Sequence, residues 1–207
     1  MAKALRIKIA SDIICPWCYI GKRRLAKALA LLGGEIEARI EWLPFQLNPG
    51  MPAEGVARAE YRRAKFGSLE RSRELDARVA REGAGEGIRF AFERMQRTPN
   101  TTAAHRLIDL AQRQQQGEPM VELLFRGYFE EGRDIGDESV LAGLAGDCGV
   151  AGWPQAADVQ RVAQLEESVR ELGITGVPTF IFDRRSGISG AYPPEQLAAA
   201  IREAANA

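Results

Sequence analysis

The sequence predicts an α/β protein whose single sheet is built from both ends of the chain, with a helical insertion between them. Three observations lead to this fold class. The N-terminal segment has the pattern of strand, helix and strand, the C-terminal segment that of two strands and a helix, and the segment between is helical in pattern almost throughout. A chain of 207 residues can bury a core of its own, as one domain that carries a large insertion.

The N-terminal segment predicts a βαβ unit. "LRIKIASDI" alternates apolar and polar side chains, which is typical of a strand, and "EIEARIEWLPF" alternates in the same way. Between them, "PWCYIGKRRLAKALALLGG" contains good helix formers, a proline in the first turn and two glycines that end the helix. The motif "CPWC" therefore lies where the first strand ends and the helix begins.

The middle of the chain, residues 52–173, predicts helices. "AEGVARAEYRRAKFG" and "SLERSRELDARVAREG" are rich in arginine and glutamate, so we expect solvated faces, while "TTAAHRLIDLAQRQQ" and "PMVELLFRGYFEEG" are more apolar. "DESVLAGLAGDCGV" predicts a shorter helix behind an acidic cap. "WPQAADVQRVAQLEESVREL" predicts a long helix that ends at Gly173.

The C-terminal segment returns to strands. "GVPTFIFD" predicts a short strand, "RRSGISGAY" a turn and a second strand, and "PPEQLAAAIREAANA" a final helix. One architecture accounts for both ends of the chain, a thioredoxin-like sheet split by an insertion. We expect a discontinuous thioredoxin-like domain of residues 1–51 and 174–207, joined through a crossover helix, 153–173. The all-helical insertion would then span residues 52–152.

Cys15 and Cys18 stand at the start of the predicted opening helix. Pro16 fits the first helical position, so the N–H groups of the first turn and the positive end of the helix dipole would face the Cys15 sulfur and favour its thiolate. Cys18, one turn further along, would lie beside Cys15 and be less exposed. Cys15 is therefore the expected nucleophile, and Cys18 the thiol that resolves a mixed disulfide.

A second segment supports this redox interpretation. Val177 and Pro178 come directly before the predicted strand "TFIF". A proline at the entry of a strand is ordinary, but in a thioredoxin-like sheet this position would place a cis-proline beside the cysteines. The backbone groups of Val177 would then pair with an extended substrate.

The cysteine pair also allows a metal site or a chance spacing. A structural zinc site usually needs four ligands, and the chain adds only Cys148 and His105 as further soft ligands, neither with a partner nearby in sequence. A chance spacing would mean two small buried residues with no chemical role. Since the pair stands between strand and helix and encloses Pro16 and Trp17, we expect redox chemistry and no metal.

These motifs resemble those of the DsbA-like oxidoreductases of the FrnE branch, within the thioredoxin-fold superfamily. The resemblance runs from "DIICPWCYIGKRRL" through "EWLPFQLNP", "RTPNTTAAHRL" and "LFRGYFEEGRDIGD" to "GITGVPTFIF" and "SGISGAYPPEQL", and so covers most of the chain. It implies a thioredoxin fold with an insertion, thiol–disulfide exchange at the two cysteines and a cis-proline at Pro178.

The relatives of this family add partners to the hypothesis. They include 2-hydroxychromene-2-carboxylate isomerases and kappa-class glutathione transferases, which generally carry serine at the position of Cys15 and bind glutathione. The resemblance therefore implies glutathione as a redox partner and demands no metal or organic cofactor. It leaves a homodimer open, although the sequence shows no unambiguous interface stripe.

Composition and the N-terminal pattern limit the kinds of partner and the cellular compartment that we expect. The chain has 28 basic and 28 acidic residues, so its formal charge of zero gives no electrostatic reason to bind nucleic acid or an anionic membrane. No apolar run approaches the roughly 20 residues that span a bilayer, and the N-terminus lacks the pattern of a secretory signal. We therefore expect a cytoplasmic protein, in which a CxxC pair is more often catalytic or metal-binding than structural.

Four more residues carry hypotheses of their own. Asp12 either caps the turn before Cys15 or tunes proton transfer near it. Trp17 either docks an apolar substrate or packs on the insertion. We expect His105, the only histidine, to be structural, and Cys148 to be a small buried hydrophobic residue.

Basic residues follow the motif along the predicted opening helix. Lys22, Arg23 and Arg24 are expected to give the thiolate weak and screened help. The main stabilisation would come from the helix dipole.

The sequence thus predicts a thiol–disulfide oxidoreductase that acts on a protein or small-molecule disulfide. Pro178 would complete the site of the two cysteines, and Pro16, Trp17 and Val177 would contact the substrate. Two alternatives belong to different classes. One is a glutathione-dependent isomerase or transferase, in which Cys15 only positions glutathione, and the second is a non-enzymatic metal-binding or sensor protein.

Overall fold

A computed structural model of the protein describes residues 2–207 and confirms the predicted α/β fold class. The strands are β1 (Lys3–Ser11), β2 (Ile36–Pro44), β3 (Val56–Ala57), β4 (Arg97–Thr98), β5 (Thr179–Phe182) and β6 (Ser186–Ser189). The helices are α1 (Pro16–Leu31), α2 (Arg58–Phe66), α3 (Leu69–Gly85), α4 (Thr102–Arg113), α5 (Gly117–Phe129), α6 (Glu138–Asp147), α7 (Val159–Glu171) and α8 (Pro194–Asn206).

The main sheet combines both ends of the chain in the strand order β2-β1-β5-β6. Strands β1 and β2 are parallel, as a βαβ unit requires, and β5 lies antiparallel to both β1 and β6. Ile9 in β1 pairs with Phe180 in β5, so the two halves meet in the centre of the sheet. The predicted N-terminal βαβ unit and C-terminal ββα unit are confirmed.

Local sequence signals account for where several helices begin. Pro16 occupies the first turn of α1, where its missing N–H costs no helical hydrogen bond. The side chains of Ser68, Asp137 and Asp158 accept hydrogen bonds from N–H groups in the first turns of α3, α6 and α7, respectively. These caps satisfy donors that a helix start leaves unpaired.

One continuous hydrophobic core joins the sheet to the insertion. It contains Ile7 of β1 and Phe125 of α5, both fully buried, together with side chains from most other elements. The sheet and the insertion share this core, so they are not separated by packing. The division into a thioredoxin-like domain and an insertion of residues 52–152 describes the order of elements along the chain, and it stays a prediction.

Helix α1 connects the sheet to the insertion. The Tyr19 ring is fully buried and stacks on Phe125 of α5, with ring centroids 4.9 Å apart. Lys22 Nζ lies 2.9 Å from Glu122 Oε2, and Arg23 pairs with the other oxygen of the same carboxylate. Apolar stacking and ion pairs therefore hold α1 on α5.

The start of the predicted insertion is corrected. The helix expected from Ala53 begins at Arg58, because Val56 and Ala57 pair instead with Arg97 and Thr98 as the small sheet β3-β4. The insertion is therefore not helical throughout.

The crossover helix α7 is also shorter than predicted. It begins at Val159 and not at Trp153, because the Asp158 side chain accepts the Arg161 N–H and caps the helix there. The preceding residues 151–156 form turns. Within this stretch the Trp153–Pro154 peptide is cis.

Gly21 allows α1 to approach the loop before β5 closely. A Cβ at this position would lie 3.0 Å from Pro178 Cγ and 3.3 Å from Phe180 Cζ. Since Phe180 is fully buried and Pro178 has a rigid ring, neither neighbour can easily move away. Glycine at this point of α1 therefore sets the distance between the helix and Pro178.

We expect Gly21→Ala to lower the free energy of unfolding by about 1 kcal/mol, because overpacking typically costs about 1–3 kcal/mol and exceeds the helix-propensity gain of alanine, about 1 kcal/mol. Gly143 in α6 is the matched control, since a Cβ there meets no atom within 4 Å. Gly143→Ala should raise stability by about 0.5–1 kcal/mol. Urea unfolding of both variants checks the difference, and equal stabilisation would show that the contact with Pro178 is loose.

Candidate active site

Cys15 is the residue that caps α1. Its backbone is extended, with φ −92° and ψ 110°, and its carbonyl accepts the Cys18 N–H at 3.0 Å. Its own N–H donates to the Asp12 carbonyl at 3.0 Å, which closes the turn after β1. The Cys15 thiol faces the Val177 carbonyl oxygen, with an S···O distance of 3.7 Å. The sequence thus folds so that the first cysteine stands at the positive end of the α1 dipole.

Cys18 lies deeper than Cys15. Its exposed fraction is 1%, against 5% for Cys15, and both thiols are free. Burial raises the pKa of the Cys18 thiol well above its ordinary value, and the hydrogen bond and charge of Cys15 raise it further. The Ser11 hydroxyl and the Asp12 backbone N–H act in the opposite direction. Cys18 is therefore held as a neutral thiol beside Cys15. As predicted, it is the less exposed of the two cysteines.

The loop before β5 faces the cysteines. The Val177–Pro178 peptide is cis, and the Pro178 carbonyl accepts the Gly190 N–H at 2.8 Å. The Val177 N–H makes no hydrogen bond to any of residues 2–207. A donor and an acceptor of the Val177 backbone are thus available close to the Cys15 sulfur.

A cleft of about 490 Å³ opens at the cysteine motif. Ile14, Cys15, Pro16, Trp17 and Leu47 line it from the sheet side. The insertion closes the other side through α2 and α3 and the aromatic side chains of Phe92, Tyr128 and Phe129. We call this space the basic cleft, because of the cations that line it.

Four cations and one carboxylate line the basic cleft: Arg58, Arg62, Lys65, Arg78 and Asp76. Arg58 and Arg62 share the Asp76 carboxylate, at 2.8 Å and 2.5 Å. One carboxylate cannot neutralise four cations, so the cleft carries positive charge over an aromatic floor. This feature was not predicted, because the arginines of this segment have the pattern of a solvated face. One sequence signal could have indicated the cleft. Arg58, Arg62 and Lys65 have a spacing that places their side chains on one face of the helix.

The structure places the predicted substrate-contacting residues around the Cys15 sulfur. Pro16 and Trp17 line the cleft, and Trp17 is half-buried against the core, so its two predicted roles are compatible. Val177 and Pro178 lie in the loop before β5, where the Val177 carbonyl faces the sulfur. The functional roles of these four residues stay predictions.

The expected help of three basic residues to the thiolate is not supported by their contacts. Lys22 and Arg23 pair with Glu122 of α5. Arg24 pairs with Glu82 and Glu86 at the other side of α1. Their charges are thus largely compensated by the insertion.

Asp12 and His105 form a buried pair below the motif. His105 Nε2 lies 3.4 Å from Asp12 Oδ1, and both side chains are at most 3% exposed. The other carboxylate oxygen of Asp12 accepts the Leu47 N–H at 2.8 Å. Asp12 thus fixes the turn at Cys15 through its backbone and one wall of the cleft through its side chain. No local pattern connects Asp12 with His105, which lies 93 positions further along the chain.

Within residues 2–207, no group of three or more histidine, cysteine or acidic side chains is arranged to hold a metal ion. The helices in the same range are also too short or too polar to cross a membrane. Cys148, the third cysteine, is half-buried and so more exposed than expected, and its thiol lies 3.9 Å from the Gln116 carbonyl.

The sheet order and the dithiol at the start of α1 define a thioredoxin-fold protein of the oxidoreductase class. Comparison with known protein families identifies the family within this class. The model of the DSBA-like thioredoxin domain matches residues 6–202, and the chain belongs to that family.

Individual relatives agree with this assignment. A probable DsbA oxidoreductase of Streptomyces coelicolor is 32% identical, with a TM-score of 0.88 over 97% of this chain and 89% of that chain. The uncharacterized protein YwbO of Bacillus subtilis (strain 168) is 28% identical over 187 residues, 86% of each chain. The cytosolic disulfide reductase DsbM of Pseudomonas aeruginosa, solved with GSH, shares the fold at 18% identity and a TM-score of 0.61, over 98% of this chain and all of that one.

We expect Cys18 to make the reduced protein less stable at alkaline pH. Its folded-state pKa is raised, so between the unfolded value, about 8.5, and the folded value the native protein keeps a proton that the unfolded chain loses. This contribution is complete below about pH 8.5 and declines above it. The free energy of unfolding, measured with a reductant present, should fall between about pH 8 and 9.5, and less steeply in Cys18→Ala. Identical slopes would contradict the buried neutral thiol.

Proposed function

We propose that the protein is a thiol–disulfide oxidoreductase that exchanges disulfides through Cys15 and Cys18. The observation that carries this proposal is the pair itself. One thiol stands at the N-terminus of a helix and beside an open cleft, and the second lies behind it, fully buried and in contact with the first.

The arrangement suits a two-step exchange. In the first step the Cys15 sulfur attacks a substrate disulfide, a bond forms between Cys15 and one substrate sulfur, and the other substrate sulfur leaves as a thiolate. In the second step the Cys18 sulfur attacks Cys15, the internal disulfide forms, and the second substrate sulfur leaves with the electron pair. In the reverse direction the oxidised protein accepts two electrons from a dithiol or from two thiols.

Backbone groups near Cys15 would hold the substrate. The free Val177 N–H and the Val177 carbonyl would pair with an extended segment, next to Pro178. Pro16 and Trp17 would contact the apolar part of the substrate at the mouth of the cleft.

The basic cleft favours a small anionic substrate. Its volume of about 490 Å³ lies in the range of small-molecule sites, and its cations would attract carboxylates. Glutathione fits this description, and the structural neighbour DsbM of Pseudomonas aeruginosa was solved with GSH. Since that neighbour is a cytosolic disulfide reductase, we propose glutathione as the redox partner and a reducing, cytoplasmic setting.

A glutathione-dependent isomerase is the second candidate function. A structure of 2-hydroxychromene-2-carboxylate isomerase matches this fold with a TM-score of 0.69 and 15% identity, over 96% of this chain and 95% of that one. The basic cleft would also accommodate its kind of carboxylate substrate. This function would need only Cys15, so the two candidates differ in what Cys18 contributes.

We expect the reduced protein to form a reversible Cys15–Cys18 disulfide in graded glutathione buffers. Tryptophan fluorescence, to which Trp17 between the two cysteines contributes along with two other tryptophans, follows the transition, and thiol labelling identifies the cysteines that change. Cys18→Ser should accumulate a mixed disulfide at Cys15, because no thiol remains to resolve it. Cys148→Ser is the matched control and should behave like the unmodified protein. If the serine variant at Cys18 turns over normally, the isomerase or transferase function is favoured instead.

We expect Lys65→Glu to weaken the use of anionic disulfides. Lys65 lines the basic cleft, whereas Arg63, on the same helix, is exposed and does not line it. With 5,5′-dithiobis(2-nitrobenzoate) as the anionic disulfide, Lys65→Glu should raise KM about three- to tenfold, and Arg63→Glu much less. Bis(2-hydroxyethyl) disulfide, which is neutral, should show little change in either variant. Equal effects of both variants would mean that the cleft does not select for charge.

A further inference from the structure

Helix α2 forms one wall of the basic cleft, although none of its residues is buried. It contributes Arg58, Tyr61, Arg62, Lys65 and Phe66 to the lining of the cleft that reaches the cysteine motif. Most helices in proteins are held by the packing of an apolar face. Since α2 has no buried face, the contacts of its polar side chains decide where it lies.

Asp76 of α3 supplies the strongest of these contacts. Its carboxylate lies 2.8 Å from Arg58 and 2.5 Å from Arg62, and the three side chains are at most 16% exposed. Arg62 also donates to the Ser72 hydroxyl of α3 at 2.7 Å. We call Arg58, Arg62 and Asp76 the clamp. Because two guanidinium groups share one carboxylate in a partly buried place, loss of Asp76 would leave two neighbouring like charges unpaired.

One further bond joins α2 to the opposite side of the cleft. The Tyr61 hydroxyl donates to Asn48 Oδ1 at 2.8 Å, in the segment after β2. Leu47, beside Asn48, lines the cleft. This bond joins neutral groups, and the charge-assisted bonds of the clamp are stronger. The clamp is therefore the contact whose loss would free α2.

The two ends of α2 are held differently. At its start, Val56 and Ala57 pair with β4, and the Arg58 N–H donates to the Gln96 carbonyl at 2.9 Å. At its end, Gly67 has a φ of +83°, and a Cβ there would meet no atom within 4 Å. The start is thus anchored and the end lies in open space. Residues at the ends of an element can absorb such a rotation, so α2 can turn about its first residues when the clamp is released.

The position of α2 limits what can reach the nucleophile. Cys15 is 5% exposed, and the cleft in which it lies has a volume of about 490 Å³, which suits a small molecule. A disulfide on a folded protein needs open surface around the cysteine, since a standard protein interface covers about 800 Å² of each partner. Because α2 shares the cleft with Pro16 and Trp17, it obstructs such a contact.

We propose that the clamp sets the substrate class of the exchange. With α2 held by Asp76, Cys15 reacts with small-molecule disulfides and not with those of folded proteins. This inference rests on the proposed exchange at Cys15 and deepens it. Asp76 is a positioning residue, because it acts on the substrate through the place of α2 and takes no part in the sulfur chemistry.

The test compares two disulfides that differ chiefly in size. One is the mixed disulfide of thionitrobenzoate with 2-mercaptoethanol. The other is that of thionitrobenzoate with the single exposed cysteine of a folded carrier protein of near-zero net charge. Cys15 of the reduced protein attacks the sulfur of mercaptoethanol or of the carrier, and coloured thionitrobenzoate leaves with the electron pair. The ratio of the two second-order rate constants measures discrimination by size, and glutathione gives the same ratio for a thiol without a cleft.

The unmodified protein should discriminate against the carrier about tenfold or more beyond glutathione. Asp76→Ala should lower this discrimination about fivefold or more, because the unpaired arginines repel each other and draw α2 toward water. Glu74→Ala is the matched control. Glu74 lies on the same helix, pairs with Arg71 at 2.8 Å and does not line the cleft. This variant removes the same charge and should leave the discrimination unchanged.

Hydrogen–deuterium exchange separates local opening from a general loss of stability. In Asp76→Ala, exchange should rise in α2 and stay unchanged in α1 and α5. A rise throughout the chain would contradict a local clamp. If Asp76→Ala does not fold, Arg62→Gln breaks one arm of the clamp and leaves Asp76 paired with Arg58. It should lower the discrimination in the same direction.

Two results would overturn the clamp as the determinant of substrate class. One is a discrimination no greater than that of glutathione, and the other is an equal effect of Asp76→Ala and Glu74→Ala. Failure of the proposed exchange function looks different. The reduced protein would then release thionitrobenzoate from neither disulfide, or no Cys15–Cys18 disulfide would follow the release.

Discussion

The position of the first turn of α1 is the constraint on which the site depends. On one side, Gly21 lets the helix approach Pro178, so that the Cys15 sulfur comes within 3.7 Å of the Val177 carbonyl. On the other side, Tyr19 stacks on Phe125 of the insertion. A helix fixed from both sides can present a cysteine to a cleft at a defined distance, which thiol exchange requires.

The ion pairs of α1 account for how the insertion is oriented. Glu122 of α5 pairs with both Lys22 and Arg23, and Glu86, directly after the end of α3, pairs with both Arg24 and Lys27. Because the side chains of Lys22 and Arg24 are only 13% exposed, the cost of removing these charges from water offsets much of their attraction to the glutamates. The buried aromatic contacts therefore supply most of the docking energy. The ion pairs fix which faces meet. The pairs with Glu86 hold the end of α3 near α1, and the basic cleft forms between α3 and the cysteine motif.

The two sides of the cysteine motif have different chemistry. Toward the basic cleft, cations and aromatic rings surround the exposed edge of Cys15. Behind the motif, the side chains of Asp12 and His105 are buried 3.4 Å apart, and burial holds Cys18 as a neutral thiol. One side therefore presents Cys15 to a charged cleft, and the other side keeps Cys18 in its neutral form.

The sequence by itself determined the fold class, the parallel βαβ opening and the N-terminal place of Cys15 on its helix, because these follow from periodicity, capping and turn chemistry between neighbouring residues. The cis-proline at Pro178 followed only from the thioredoxin-like architecture and the family resemblance. Only the tertiary structure decided which distant side chains meet. Arg58 and Arg62 have the pattern of solvated residues and line the cleft because Asp76 of α3 draws them there. His105 has the pattern of a core residue and lies against Asp12 because α4 packs on the sheet. Such pairings depend on helix docking across the whole chain, which local patterns do not encode.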